Sequence, residues 1–138
     1  MAVNDSGSDP LTRTPKLPDA ASIDWTRARV VYDRISDELS ISFDGDFRPA
    51  ASIALDIGPH DYIYARVDPT TGETVGLQVD GFLGYVIRQH PDSAAFLTLA
   101  ELHGFDDLAA TELRQWAWER TNERAEVALS TVYGHLVA

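Results

Sequence analysis

"VDPTTGETVGLQVDGF", residues 67–82, is the stretch whose reading decides the fold. Gly72, Gly76 and Gly81 fall among small polar residues, which invites the reading of a ligand loop. The known loop templates fail on spacing. Counted from Asp68, Gly72 is fifth and Val79 twelfth, where an EF-hand calcium loop needs glycine at six and a bidentate Glu at twelve. Gly72 and Gly76 lack the P-loop spacing and no Lys follows them. With Gly81 and Gly84 they do not make a dinucleotide fingerprint either. As the bend of a β-hairpin the stretch works at each position. Asp68 can bond the neighbouring backbone, Pro69 pre-sets φ, and Gly72 can take positive φ. The following TVGLQV alternates Val75, Leu77 and Val79 against polar residues, as a half-buried strand does. Gly76, inside that strand, marks a bulge or a close approach by another element.

The same period of two runs backward from this hairpin. Val30 and Tyr32 alternate with Arg29, Val31 and Asp33. Leu39, Ile41 and Phe43 alternate with Ser40 and Ser42. Ile53, Leu55 and Ile57 alternate with Ser52, Ala54 and Asp56, and Ile63, Ala65 and Val67 with Tyr62, Tyr64 and Arg66. The connections are short and rich in turn residues, which suits neighbouring antiparallel strands. Forward of Gly81 the period becomes helical. FLGYVIRQH reads as a helical turn ending before Pro91. SAAFLTLAELHG, capped by Asp92 or Ser93, places Phe96, Leu99, Ala100 and His103 at helical spacing, with Gly104 as its left-handed terminator. Asp106 and Asp107 open a last helical segment. Its early apolar face (Ala109, Leu113, Trp116, Ala117) and its later one (Trp118, Ala125, Leu129, Val132, Leu136) do not coincide. One long helix over 106–137 is favoured over two, because no Gly or Pro interrupts the region of change.

The expected architecture is therefore α+β: an antiparallel β-meander of four or five strands, with two or three C-terminal helices packed on one face. Residues 1–22, with Pro10, Pro15, Pro18 and few apolar side chains, read as a disordered N-terminal tail. Residues 23–138 read as one domain, with the sheet in 28–80 and helices in 81–138. The second sheet face would carry Ser40, Ser42, Ser52, Ala54, Tyr62, Tyr64, Arg66, Thr74 and Gln78.

Composition narrows the function classes. The chain has 138 residues and no cysteine, which excludes disulfides and thiolate metal sites. Its net charge of −11 opposes binding to nucleic acid or anionic lipid. No apolar run reaches the ~18 residues of a membrane helix. MAVNDSGSDP has neither the basic start nor the apolar core of a secretory signal, so the expectation is a cytoplasmic protein. No cofactor is implied. His60, His90, His103 and His135 stand alone, without a paired spacing. Asp33, Asp37, Asp44, Asp46 and His60 are the groups that a small-ligand or metal-dependent enzyme would use, although two carboxylates in a turn such as FDGDF are ordinary turn chemistry. Tyr62, Tyr64 and Arg66 on the second sheet face, with Trp116 and Trp118, form the candidate interaction surface. Two tryptophans two apart on a helix cannot share a narrow face, so one is free to meet another chain.

At VVYDRISDELSISF and IYARVDPTTGETVGLQVDGF the chain resembles a family of small bacterial proteins, the domain of unknown function twenty-two eighty-three. Tyr32, Asp33, Asp37, Leu39 and Ile41 match the family's first pattern. Asp68, Gly72, Val75, Gly76, Leu77, Gln78 and Val79 are similar to its closing turn and strand, with the turn one residue longer. The resemblance covers about residues 30–82 and implies a compact β-meander followed by helix, with no activity, cofactor or catalytic residue. The strand around 51–57 and the helical C-terminus depart from it. The leading functional expectation is a non-enzymatic interaction module that self-associates, as a dimer, or binds a protein partner. Beside it stand the small-ligand or metal-dependent enzyme and an acidic regulator, antitoxin-like or a nucleic-acid mimic, of a basic partner.

Overall fold

The computed structural model describes residues 14–55, 62–121 and 129–137. Six strands form one mixed sheet: β1 Arg29–Asp33, β2 Glu38–Ser42, β3 Ala51–Ala54, β4 Ile63–Val67, β5 Thr74–Asp80 and β6 Glu101–His103. Their order across the sheet is β3-β4-β5-β2-β1-β6. The first five pair antiparallel, as the alternation requires, while β6 runs parallel to β1. The arrangement is a hairpin, β1–β2, docked on a meander, β3–β4–β5. The connection from β2 carries the chain to the far edge, so β2 lies beside β5 and not beside β3. The second half of the expected 51–57 strand is only partly described: Leu55 is buried and donates its N–H to the Ile63 carbonyl at 3.0 Å, and residues 56–61 lie outside the described residues.

The opening hairpin forms as its residues dictate. Asp68 Oδ1 accepts the Thr70 and Thr71 N–H groups at 2.8 and 3.2 Å, and Gly72 has φ +76°. Gly76 answers to both expectations. A β-bulge separates the pairs Arg66–Gly76 and Val67–Thr74, leaving Val75 as the extra residue. A Cβ on Gly76 would stand 2.3 Å from the Ile41 carbonyl oxygen of the neighbouring strand. The bulge also corrects one placement. It sets Thr74 opposite Val67, whose side chain is in the core, so Thr74 leaves the polar face on which strict alternation put it.

Beyond Gly81 the chain makes a single π turn, Phe82–Val86, continues into α1 Ile87–Gln89, then a 3₁₀ helix, Pro91–Thr98. Two expectations for this region are overturned. The helix begins at Pro91 without a side-chain cap from Asp92 or Ser93: Ser93 Oγ donates to the His90 carbonyl at 2.6 Å, and Asp92 faces His135 at 2.9 Å. It stops at Thr98, and Glu101–His103, read as its last turn, is β6. The open edge of β1 offers hydrogen bonds that one further helical turn could not match, and tertiary pairing overrides local periodicity there. Gly104 keeps its left-handed role, with φ +85°, but at the end of a strand. Asp106 then caps α2 Asp107–Thr121, accepting the Ala109 N–H at 2.8 Å. α3 spans Leu129–Val137. Residues 122–128, where one long helix was favoured over two, lie outside the described residues.

The buried apolar side chains of the described helices join a single core on one face of the sheet, with Tyr32, Leu39, Ile41, Ile63, Leu77, Phe82, Phe96, Leu97, Tyr133 and Leu136 at its centre. Part of the expected tail belongs to this core. Residues 1–13 lie outside the described residues, but Leu17 and Ala20 pack against it, and Tyr133 donates its hydroxyl to the Pro18 carbonyl at 3.2 Å. Trp25, which no sequence pattern singled out, packs on Phe96 and Tyr133 and donates Nε1–H to Ser130 Oγ at 3.0 Å. The groups that order this segment lie on the 3₁₀ helix and α3, far along the chain, and not in its own composition.

Asp37 ties the hairpin to the helical half. It sits at φ +53°, a conformation Asp and Asn tolerate best among side-chain-bearing residues. Its carboxylate accepts the Tyr32 hydroxyl at 2.5 Å, the Leu83 N–H at 2.8 Å and the Gly84 N–H at 2.9 Å. Its carbonyl accepts the Phe82 N–H at 3.0 Å. Burial, with the adjacent carboxylate, pushes the Tyr32 hydroxyl well above the ordinary tyrosine range, so it stays a donor. Removing the acceptor leaves buried donors unpaired, at about 1–3 kcal/mol each. Asp37→Asn is expected to lower unfolding free energy by about 1–2 kcal/mol and Asp37→Ala by about 3, read from urea denaturation midpoints. Gly76→Ala, which forces β2 and β5 apart, is expected to cost about 1–3 kcal/mol in the same assay.

Candidate functional site

The described helices pack their apolar side chains against one side of the sheet, and the residues on its other side fall outside that core. Strand register orders the residues of that other side into three rows running across the strands. The first holds Ser52, Arg66, Gly76, Ser42 and Arg29. The second, central row holds Ala54, Tyr64, Gln78, Ser40, Val31 and Glu101. The third runs Asp80, Glu38, Asp33, His103, with Tyr62 beside Asp80 through the Tyr62 carbonyl, which accepts the Asp80 N–H at 2.8 Å.

The rows differ in charge. At the first-row end, the loop 43–50 folds over the sheet and buries Ser42, whose hydroxyl donates to the Asp46 carbonyl at 2.9 Å. The Asp44 carboxylate is held by the Asp46 N–H at 3.0 Å, by Ser42 and by the Arg48 guanidinium, and the Asp46 N–H is the main reason its pKa falls below the usual carboxylate value. Phe47 stands out of this loop, 40% exposed, with the Arg29 guanidinium over its ring. Arg29 also makes a two-pronged pair with Glu101, at 2.8 and 2.9 Å, which offsets the one charge in the central row.

The third row is a run of carboxylates. Glu38 lies directly opposite Asp80 on one side and Asp33 on the other. Like charges in such positions repel. Burial, and then Asp80, raise the Glu38 pKa above its ordinary value, opposed by Ser40 and Arg66. Between the third row and Phe47 lies a hollow of about 340 Å³, lined by Arg29, Val31, Asp33, Glu38, Ser40, Phe47 and His103.

The sequence-derived candidates separate. Tyr62, Tyr64 and Arg66 share the open face: Tyr64 and Arg66 are half-buried, and Tyr62 stacks on Tyr85 at 4.4 Å. Trp116 and Trp118 lie on α2, which packs on the 3₁₀ helix. Trp116 is half-buried with Arg120 over its ring at 4.0 Å, and Trp118 is 49% exposed. The acidic candidates do not converge. Asp37 and Asp44 spend their oxygens on the chain's own N–H and O–H groups, Asp33 Oδ1 accepts the Ile35 N–H at 2.9 Å, and His60 lies outside the described residues. Among the described residues no three His, Asp or Glu side chains are grouped to hold a metal ion, and no helix is long and apolar enough to cross a membrane. Sequence reading missed Phe47, Arg29 and the carboxylate row. The row becomes visible only when register sets β2 between β1 and β5.

No match is found. Family models, curated proteins and solved structures each return nothing similar to this chain.

The raised Glu38 pKa has a definite sign. The folded state takes up its proton before the unfolded state does. This carboxyl's contribution to stability is therefore greatest at low pH, below its unfolded value, and is lost as pH rises through the folded value. Glu38→Gln removes the repulsion and is expected to stabilise the folded chain at pH 7 by about 0.5 kcal/mol. The gain over wild type should shrink as pH falls below the unfolded value, in paired thermal melts at pH 7 and pH 4.

Proposed function

We propose that this protein is a non-enzymatic protein-interaction module that works through its open sheet face. The observation that supports this most directly is the one-sided packing. The described helices join the core on one face, while the other keeps aromatic, small and charged residues in ordered rows outside that core, with Tyr62 at its edge stacked on Tyr85 of the π turn. Tyr64 on β4, Tyr62 just before it and Phe47 in the 43–50 loop supply rigid contact area of the kind that anchors protein interfaces. A solvated sheet face has less use for aromatic groups or for three carboxylates set side by side.

The carboxylate row favours a second reading, in which the protein is an acidic regulator whose face receives Lys or Arg side chains of a basic partner. Both readings use the same surface. The resemblance over residues 30–82 brings no activity to either.

A photo-reactive phenylalanine placed at Tyr64, and separately at Gln115 on α2, tests the reading in cells that express the chain. Ultraviolet capture of a species identified by mass spectrometry from position 64, with none from 115, is expected. Capture from neither position, or from 115 alone, would overturn the assignment of the sheet face.

A further inference from the structure

The third row carries charge that the chain leaves uncompensated. Asp80, Glu38 and Asp33 stand directly opposite one another across β5, β2 and β1. The ion pairs among the described residues engage Glu101, Asp44, Asp46 and Asp92, and none of the three. The guanidinium groups on this side of the sheet are committed elsewhere. Arg29 is held by both oxygens of Glu101, and Arg48 by Asp44. Arg66, in the first row, donates to the Ala50 carbonyl at 3.5 Å. The 43–50 loop sets Asp44 and Asp46 against one arginine, so it brings no positive charge to the row. The charge left over is negative, and a cationic partner complements it.

The hollow of about 340 Å³ beside the row adds shape to that charge. Asp33 and Glu38 line it, and their direct opposition sets their Cβ atoms about 5 Å apart. At that spacing one planar guanidinium can donate to both carboxylates. Val31 and Phe47 belong to the same lining, and Phe47 is 40% exposed. Apolar surface next to carboxylates suits the methylene stem of a long basic side chain, whose head stays polar while its stem is buried.

From this charge and this shape we infer that the hollow receives an arginine side chain of a protein partner, its guanidinium shared by Asp33 and Glu38 and its stem laid along Val31 and Phe47. The inference rests on the acidic-regulator reading and names the pocket and the side chain that fills it. Arginine fits better than lysine because its donors form a fixed fork, whereas an ammonium is a compact charge that holds its water. Occupancy is coupled to pH. Burial, and then Asp80 on β5, raise the Glu38 pKa, opposed by Ser40 on its own strand and Arg66 on β4. Asp33 on β1 faces Glu38 from the other side, and His103 on β6 lines the same hollow. A protonated Glu38 cannot pair with a guanidinium, so binding weakens in acid.

A blocked Gly-Gly-Arg-Gly-Gly peptide, titrated into the ¹⁵N-labelled chain beside its lysine and citrulline forms, tests this by amide shifts. The arginine peptide is expected to move the amides of residues 31–40 and 47, the lysine form to bind more weakly, and the neutral citrulline form to leave them still. Glu38→Gln and Phe47→Ala should each weaken binding by about fivefold, the upper range for an exposed pair. Glu112→Gln, which removes the same charge from an exposed position on α2, should leave it unchanged. Affinity should fall between pH 7 and pH 5, and fall less in Glu38→Gln. No shift of these amides, equal binding of the citrulline form, or equal losses in Glu38→Gln and Glu112→Gln would overturn the inference, the last by showing attraction to the net charge of −11 alone. Spermidine binding the hollow more tightly than the arginine peptide would overturn the protein source in favour of a free polyamine. Failure of the peptide with photo-capture of a protein from position 64 would overturn the inference and leave the interaction-module reading standing. Failure of the peptide with capture from neither position would remove both.

Discussion

The fold turns on one carboxylate. Asp37 closes the β1–β2 turn in a left-handed conformation, and in that pose its Oδ1 accepts both the Tyr32 hydroxyl and the Leu83 N–H while its Oδ2 accepts the Gly84 N–H, which ties the first helical turn after the sheet to the core. A π turn of five residues has little stability of its own, because its early N–H groups lack internal partners. Asp37 supplies those partners from across the chain. It thereby fixes where the polypeptide leaves the sheet after β5.

Much of this was legible in the residues. The alternation of Leu39, Ile41, Ile63, Ala65, Leu77 and Val79 named the buried face, because a strand has only two sides and the apolar set occupies one. Asp68 and Gly72 named the turn because their chemistry is local. What the sequence withheld was set by distant partners. The 3₁₀ helix stops and β6 begins because β1 has an open edge, and nothing within SAAFLTLAELHG records that edge. Pro18 and Trp25 are held by Tyr133 and Ser130 on α3. Thr74 changed sides because the bulge at Val75 and Gly76 reversed the alternation at the strand's end.

The site was half legible for the same reason. Tyr62, Tyr64 and Arg66 could be placed on one face from a single strand. The row Asp80, Glu38, Asp33 spans three strands, and its like charges became neighbours through the order β5-β2-β1. The paired tryptophans were legible from one helix alone. Their spacing separates them on α2, with Trp118 49% exposed and Trp116 under Arg120, on a helix that packs on the 3₁₀ helix and not on the strand of the tyrosines.

The clasp between the two ends of the described chain reaches further than its few contacts suggest. Pro18 and Trp25 are held by Tyr133 and Ser130, and burial pushes the Tyr133 hydroxyl up to about 12, so it remains a donor through the physiological range. Neither segment can leave the core without unseating the other. In hydrogen exchange, such segments behave as one cooperative unit in place of two independently fraying ends. Amide protection near residue 25 therefore becomes a reporter of α3.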